Sequence, residues 1–392
     1  MTDALARRLL EAVLRRPGPS PARISLVGLC KNAGKTVTLN RLVAAAAALG
    51  HTPGLLSTGR DGEAVDAVTE LPKPRVWAPA GALVATARPA LKQVGGSGCD
   101  PGQTGGHEAA RVEVLLETGI PTPLGPVVIG RVARPGAVLL VGPGPVARIE
   151  ALLAALEAAG ASLCLVDGSF DRRAAAGPAV TGRAVLAAGA AYSASMEATV
   201  AQVGHLLELF DLPPAPGEIL ARLPDAPLDT DRPAPGLARR SGAEPHGKPA
   251  PVALLPPGGP AQAAPVRSAL AAPATVAAAA AASPPGTVLG LGGALTDGLL
   301  LALMERRLTL PLLVPDATHV LVSRSVWQRW RRQGGTVWVC RPVDVAAVTT
   351  NAYSPVGPSY DPAAFCARVA AVAGRPVADL VAGIAHNLQM EA

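Results

Sequence analysis

The sequence predicts an α/β protein: a first domain on a mostly parallel sheet, with a further α/β unit toward the C-terminus. Three observations predict it. Short, mostly apolar runs alternate with longer helical patterns, as buried parallel strands and their crossover helices do. The first such run, Arg23–Gly28, ends in glycine and is followed at once by a helical stretch. A second, "SLCLVDG", ends in an aspartate followed by a glycine.

Taken in order, "TDALARRLLEAVLRR" reads as a charged amphipathic helix within residues 1–22 rather than as an apolar leader. Arg23–Gly28 is a buried strand, and Lys35–Leu49 a helix closed by Gly50. Further strands are expected at Gly54–Ser57, Ala82–Ala87, Pro126–Val132, Ala137–Val141, Ser162–Val166 and Arg183–Ala187. Val146–Ala159 and Ser193–Phe210 carry helical patterns. The first domain is therefore drawn over residues 23–211, ending where "DLPPAPG" begins. Residues 212–285 are dense in Pro, Ala and Gly and read as a linker or irregular insertion. A C-terminal α/β unit is drawn over residues 286–392. It begins with a strand, turn and helix in "GTVLGLGGALTDGLLLALMERR" and continues with strands in "THVLVSRS", "TVWVCR" and "VAAVTTN". Pro362–Ala373 is its last helix, and a continuation of the first sheet is the other reading of this segment. No internal repeat is visible.

Composition excludes several classes. The 392-residue chain has a formal net charge of +6 but only 3% aromatic residues. Its arginines are scattered, with short pairs such as Arg239-Arg240 and Arg331-Arg332. Neither a basic stripe nor interleaved stacking aromatics appears along the chain, so no nucleic-acid partner is expected. The five cysteines form no C-x-x-C pair, which argues against a zinc site or disulfide framework and fits a reducing, cytoplasmic setting. The six histidines lie far apart in sequence. The uncharged run Ser268–Thr296 is broken by Pro273, Pro284, Pro285 and several glycines, and no membrane association is expected.

The chemistry concentrates in "ISLVGLCKNAGKTVTLN". Gly-Lys-Thr at a strand-to-helix junction is the setting of a phosphate-binding loop. Gly34 would let the backbone approach phosphate, with the N–H groups around Lys31, Asn32 and Ala33 turned toward the anion. Lys35 would supply a cation, Thr36 a hydroxyl to Mg²⁺, and the helix start its dipole. The spacing is one residue longer than G-x-x-x-x-G-K-[ST], because Leu29 stands where the first glycine should be and Gly28 precedes it. An ordinary turn with a surface lysine is the competing reading. Lys31 is a candidate second phosphate cation, or a solvated loop lysine.

Asp167 ends its strand where a magnesium-orienting acid belongs; a turn or capping aspartate is the alternative. In "LLSTGRDGEAVD", Arg60 is a candidate phosphate contact and Asp61 a candidate metal ligand, with Glu63 and Asp66 weaker ones and an Asp-Gly turn the simpler account. Asp171, Arg172 and Arg173 form either a substrate or partner contact or a solvated charge run. Cys30 reads as a small residue filling loop space. The chain lacks N-K-x-D, which favours ATP over GTP, and it lacks D-x-H-x-x-G and G-x-S-x-G.

The lengthened loop resembles that of dethiobiotin synthetase and its relatives, a dimeric branch of P-loop proteins. There a second loop lysine reaches phosphate across the subunit interface, although Lys31 lies one residue too close to Lys35 for the usual signature. The set "GLCKNAGKT", "STGRDGE", "LVDGSFDR", "LAAGAAYSAS", "GGALTD" and "TTNAYSPVGPSYDP" resembles a bacterial family described as a reactivase subunit of lysine 5,6-aminomutase. The likeness runs over most of the chain except residues 212–285. It implies an ATP- and Mg²⁺-binding helper, a slow ATPase, that promotes exchange of damaged cobalamin on an adenosylcobalamin-dependent mutase. It also implies the mutase, a second reactivase ATPase subunit or a homodimer as partners. Two alternatives stand beside it: an ATP-dependent small-molecule ligase of the dethiobiotin-synthetase type, and a P-loop accessory protein of another cofactor pathway.

Overall fold

The computed structural model describes residues 2–16, 20–61, 75–93, 109–168, 177, 180–223, 252–264, 266, 268–355 and 357–388, without the side chains of Arg60, Asp61 and Gln93. The chain divides into two compact units. The first comprises Met1–Leu207 and Asp344–Ala392, the second Glu208–Val343.

In chain order the first unit contains α1 (Thr2–Leu14), β1 (Ala22–Gly28), α2 (Lys35–Ala48), β2 (Pro53–Ser57) and β3 (Leu83–Ala87). A long hairpin, β4 (Arg111–Thr122) and β5 (Gly125–Arg134), comes next. It is followed by α3 (Val146–Ala158), β6 (Leu163–Asp167), β7 (Arg183–Gly189) and α4 (Met196–Phe210). The second unit contributes β8 (Val252–Leu255), β9 (Gln262–Ala263), α5 (Pro273–Ala281), β10 (Val288–Leu291), α6 (Asp297–Glu305), β11 (Leu312–Val314), α7 (Arg324–Arg332) and β12 (Val337–Val339). The chain then returns to the first unit with β13 (Asp344–Asn351), α8 (Pro362–Ala373), β14 (Val377–Asp379) and β15 (Ile384–His386).

The first unit is built on a ten-stranded sheet in the order β15-β14-β13-β7-β1-β6-β2-β3-β5-β4. Pairing is parallel from β14 through β3 and antiparallel at both edges. Its central strands are buried on both faces, which is why they read as unbroken apolar runs. Alternation sorts their side chains. Leu55, Leu163 and Leu165 join Leu9, Leu10, Leu39 and Leu42 of α1 and α2 in one core. Leu56, Cys164 and Val166 join Ile149, Leu152, Leu153 and Leu156 of α3 in another.

The second unit carries a five-stranded sheet in the order β9-β8-β10-β11-β12, parallel only from β10 to β12. Its core joins Leu289, Leu291, Leu312, Val314 and Val337 to Val276 of α5, Leu299, Leu300 and Leu303 of α6, and Trp327 and Trp330 of α7.

The α/β class and the mostly parallel sheet agree with the sequence, but the boundaries move. The unit drawn from 286 to 392 is split: residues up to Val343 belong to the second unit, while β13 to β15 complete the first sheet. The tract 212–285 is not merely a linker, since β8, β9 and α5 lie within it. Pro273 does not oppose α5. It sits at the first helical turn, where its missing N–H has no helical partner to lose. Ala137–Val141 forms two short pieces that pair with Val76–Ala78 and with Arg60–Asp61 instead of joining the main sheet. The strand expected in "THVLVSRS" shrinks to Val320–Leu321, and Leu312–Val314 takes the place between β10 and β12. Among the described residues no helix is long and apolar enough to cross a membrane.

Candidate functional site

Strand register gathers the sequence candidates at one edge of the first sheet. Leu26 of β1 lies opposite Asp167 of β6, and Asp167 opposite Ser57 of β2. Gly28 lies opposite Ala187 of β7, and Gly189 opposite Asn351 of β13. These are carboxyl ends of parallel strands, the edge where α/β sheets bind ligands.

The loop 29–34 is moulded onto this edge. Its first residue, Leu29, is fully buried and donates its N–H to Ala187 O at 2.8 Å. Asn32 takes a left-handed backbone (φ 58°), which asparagine tolerates better than most residues. Gly34 is left-handed as well (φ 97°) and is the N-cap of α2, with no side chain to occupy the helix's first N–H groups. Those groups and the helix dipole therefore open toward the loop mouth.

Two glycines make room for this arrangement. A Cβ on Gly189 would lie 2.6 Å from Ala33 Cα, so a backbone crosses directly over the end of β7. A Cβ on Gly28 would lie 2.9 Å from Lys35 Cδ and 3.0 Å from Lys35 Nζ. The Lys35 side chain thus folds back across Gly28 and sets its ammonium over the end of β1. Gly28 leaves the space beneath the lysine that a side chain would fill.

Beside the loop, the Asn351 side chain reaches Gly34, where an added Cβ would meet Asn351 Cβ at 2.8 Å and Nδ2 at 3.3 Å. Thr38 Oγ1 and Thr349 Oγ1 share a hydrogen bond of 2.8 Å that ties the first turn of α2 to β13. Asp167 is fully buried, and its carbonyl accepts from the Thr58 N–H at 3.1 Å and from the Ser57 hydroxyl at 3.4 Å. Gly168 N–H donates to Leu26 O at 3.0 Å, joining the end of β6 to β1. Gly142 lies so close to Ser57 O that any side chain there would collide with it.

The structure therefore brings Lys31, Asn32, Ala33, Gly34, Lys35 and Thr36 into one loop and helix start, and places Asp167 on the strand next to β1. Lys31 is exposed, whereas Lys35 and Thr36 are half-buried. Arg60 and Asp61 form a short strand paired with Leu140–Val141. Glu63, Asp66, Asp171, Arg172 and Arg173 lie outside the described residues. Among the described residues no three His, Cys, Asp or Glu side chains group as a metal site. Burial pushes the Cys30 thiol up to about 11, with Lys35 drawing it partly back, which favours the protonated thiol at neutral pH. Gly189, Thr349 and Asn351 also stand here; they lie in "LAAGAAYSAS" and "TTNAYSPVGPSYDP", stretches that carry the resemblance but give these three residues no role of their own. Comparison with protein-family models, curated proteins and solved structures finds no match to this chain.

Proposed function

We propose that residues 28–36 are a phosphate loop of the P-loop NTPase type that binds ATP with Mg²⁺. We further propose that the chain acts as a reactivating factor for an adenosylcobalamin-dependent lysine 5,6-aminomutase. One observation carries the nucleotide reading: Lys35 is folded back over Gly28 beside the start of α2. A cation, a left-handed glycine and a helix N-terminus then meet at the loop.

The residues fit the nucleotide. The N–H groups after Gly34 would bind phosphate oxygens, and the Lys35 ammonium would neutralise the terminal phosphates. The Thr36 hydroxyl and the Asp167 carboxylate, directly or through water, would hold magnesium, which in such sites offsets phosphate charge. Asp167 is one buried carboxylate rather than a cluster, as befits a cation whose other ligands are phosphate and water.

The helper reading rests on the sequence resemblance and on this inventory, which is rich in phosphate-facing groups. A helper needs nucleotide states that differ in their preference for a partner's open conformation. The test is recovery of mutase activity after poisoning with hydroxocobalamin, in the presence of fresh adenosylcobalamin, ATP and Mg²⁺, with and without a second ATPase subunit. Recovery with the wild type and not with Lys35→Ala is expected. No recovery in any combination, together with rapid ATP turnover on a small carboxylic or amino acid, would favour the ligase reading.

A further inference from the structure

The net charge of the chain is not spread evenly. Residues 306–341 hold seven arginines and one aspartate, an excess equal to the +6 of the entire sequence, so the remainder is balanced. Four of the seven lie on α7. At 100° per residue, Arg324, Arg329, Arg331 and Arg332 fall within an arc of about 160°, a face about 13 Å long. All four are exposed, while Trp327 and Trp330 on the opposite side are buried.

No described carboxylate forms an ion pair with any of the four. Two acids of the same unit are engaged elsewhere: Asp316 accepts from Thr318 N–H at 2.8 Å, and Asp297 from Ser323 N–H at 2.8 Å. Arg331 rests over the Trp327 ring, 5.9 Å from its centroid. Arg306 and Arg307 follow the last turn of α6, which packs beside α7. Because β10, β11 and β12 are parallel, both crossover helices run the same way, and their basic C-terminal ends lie at the same end of the sheet. Complementing a helix dipole explains Arg329, Arg331 and Arg332 but not Arg324, which occupies the first turn where a cation is unfavourable.

We infer that the exposed face of α7 is a docking surface for an acidic face of a partner protein. Guanidinium forks pair with carboxylates in bidentate geometry, and an uncompensated group of them steers an oppositely charged surface. The size of the patch favours a protein over a nucleic acid. A face about 13 Å long spans well under half of a duplex turn of about 34 Å, and the two buried tryptophans offer no base a stacking surface. The inference is independent of the phosphate loop.

The test uses the full chain at low ionic strength and fluorescence anisotropy. The probes are a labelled 20-residue helical peptide with glutamates on one face, its glutamine counterpart, and a 20-base-pair duplex. The glutamate peptide should bind and the glutamine peptide should not. R324E/R329E/R332E should weaken binding at least tenfold, whereas R111E, an exposed arginine of β4, should leave it unchanged. Near-UV circular dichroism, to which the buried Trp327 and Trp330 contribute, checks the fold, and the triple Arg→Gln variant replaces the reversal if it fails. Equal binding by the triple variant, equal loss in R111E, or tighter binding of the duplex than of the glutamate peptide would overturn the inference.

Discussion

Replacing Gly28 by alanine separates the loop's architecture from the fold's stability. The added Cβ would stand 2.9 Å from Lys35 Cδ and 3.0 Å from Nζ, closer than such atoms settle. The group that must give way is a flexible side chain, not backbone, and Gly28 lies in a strand without a left-handed φ. The fold should therefore survive, within about 1 kcal/mol, since alanine also lowers the entropy cost that glycine brings to a strand. The lysine cannot keep its position across β1. A charge-assisted contact contributes about 1.5–3 kcal/mol, so moving the ammonium should weaken Mg-ATP binding about ten- to a hundred-fold. Isothermal titration gives the affinity, and urea unfolding the stability. Unchanged affinity in a folded Gly28→Ala protein would refute the idea that Lys35 must pass over Gly28 to reach phosphate.

Three further outcomes are expected. Asp167→Asn should raise the magnesium concentration needed for hydrolysis while changing nucleotide affinity less, because the amide keeps the shape and loses the charge; an unchanged magnesium titration would make Asp167 a structural strand end. Gly189→Ala sets a Cβ 2.6 Å from the backbone of Ala33, which cannot swing aside, so it should cost about 1–3 kcal/mol in urea unfolding; a neutral result would mean the loop is free to lift. Cys30, raised to about 11 by burial, holds its proton more tightly folded than unfolded. The stability it contributes is complete below the unfolded value of about 8.5 and is lost as pH rises toward 11. Cys30→Ala should flatten that alkaline decline in part, leaving the share of Cys164, which burial raises to about 12; identical slopes would contradict the assignment.

Local signals carried much of the site. The apolar run into Gly28, the Gly34-Lys35-Thr36 junction and the strand delivering Asp167 are legible because each is a short-range consequence of burial, turn geometry or helix initiation. Long-range pairing was less legible. Nothing in "DVAAVTTN" says that it lies beside β7 rather than in the second unit, because parallel pairing is set by contacts far apart in sequence. β4 is hard to read because its side chains are largely exposed and the alternation begun in Arg111–Val114 breaks at Leu115-Leu116. β8 and α5 were masked by the Pro- and Ala-rich composition around them, although a proline at a helix start breaks nothing. Gly189 and Asn351 acquire meaning only once β7 and β13 place them against the loop.

The most direct measurement is titration of Mg-ATP into the wild-type chain and into Lys35→Ala under identical conditions. Losing the ammonium beside the helix start should lower the affinity by about 2–4 kcal/mol, tens to hundreds of fold, with the fold intact by circular dichroism. Equal affinities in the two proteins, or no binding by the wild type, would contradict the assignment of residues 28–36 as a phosphate loop.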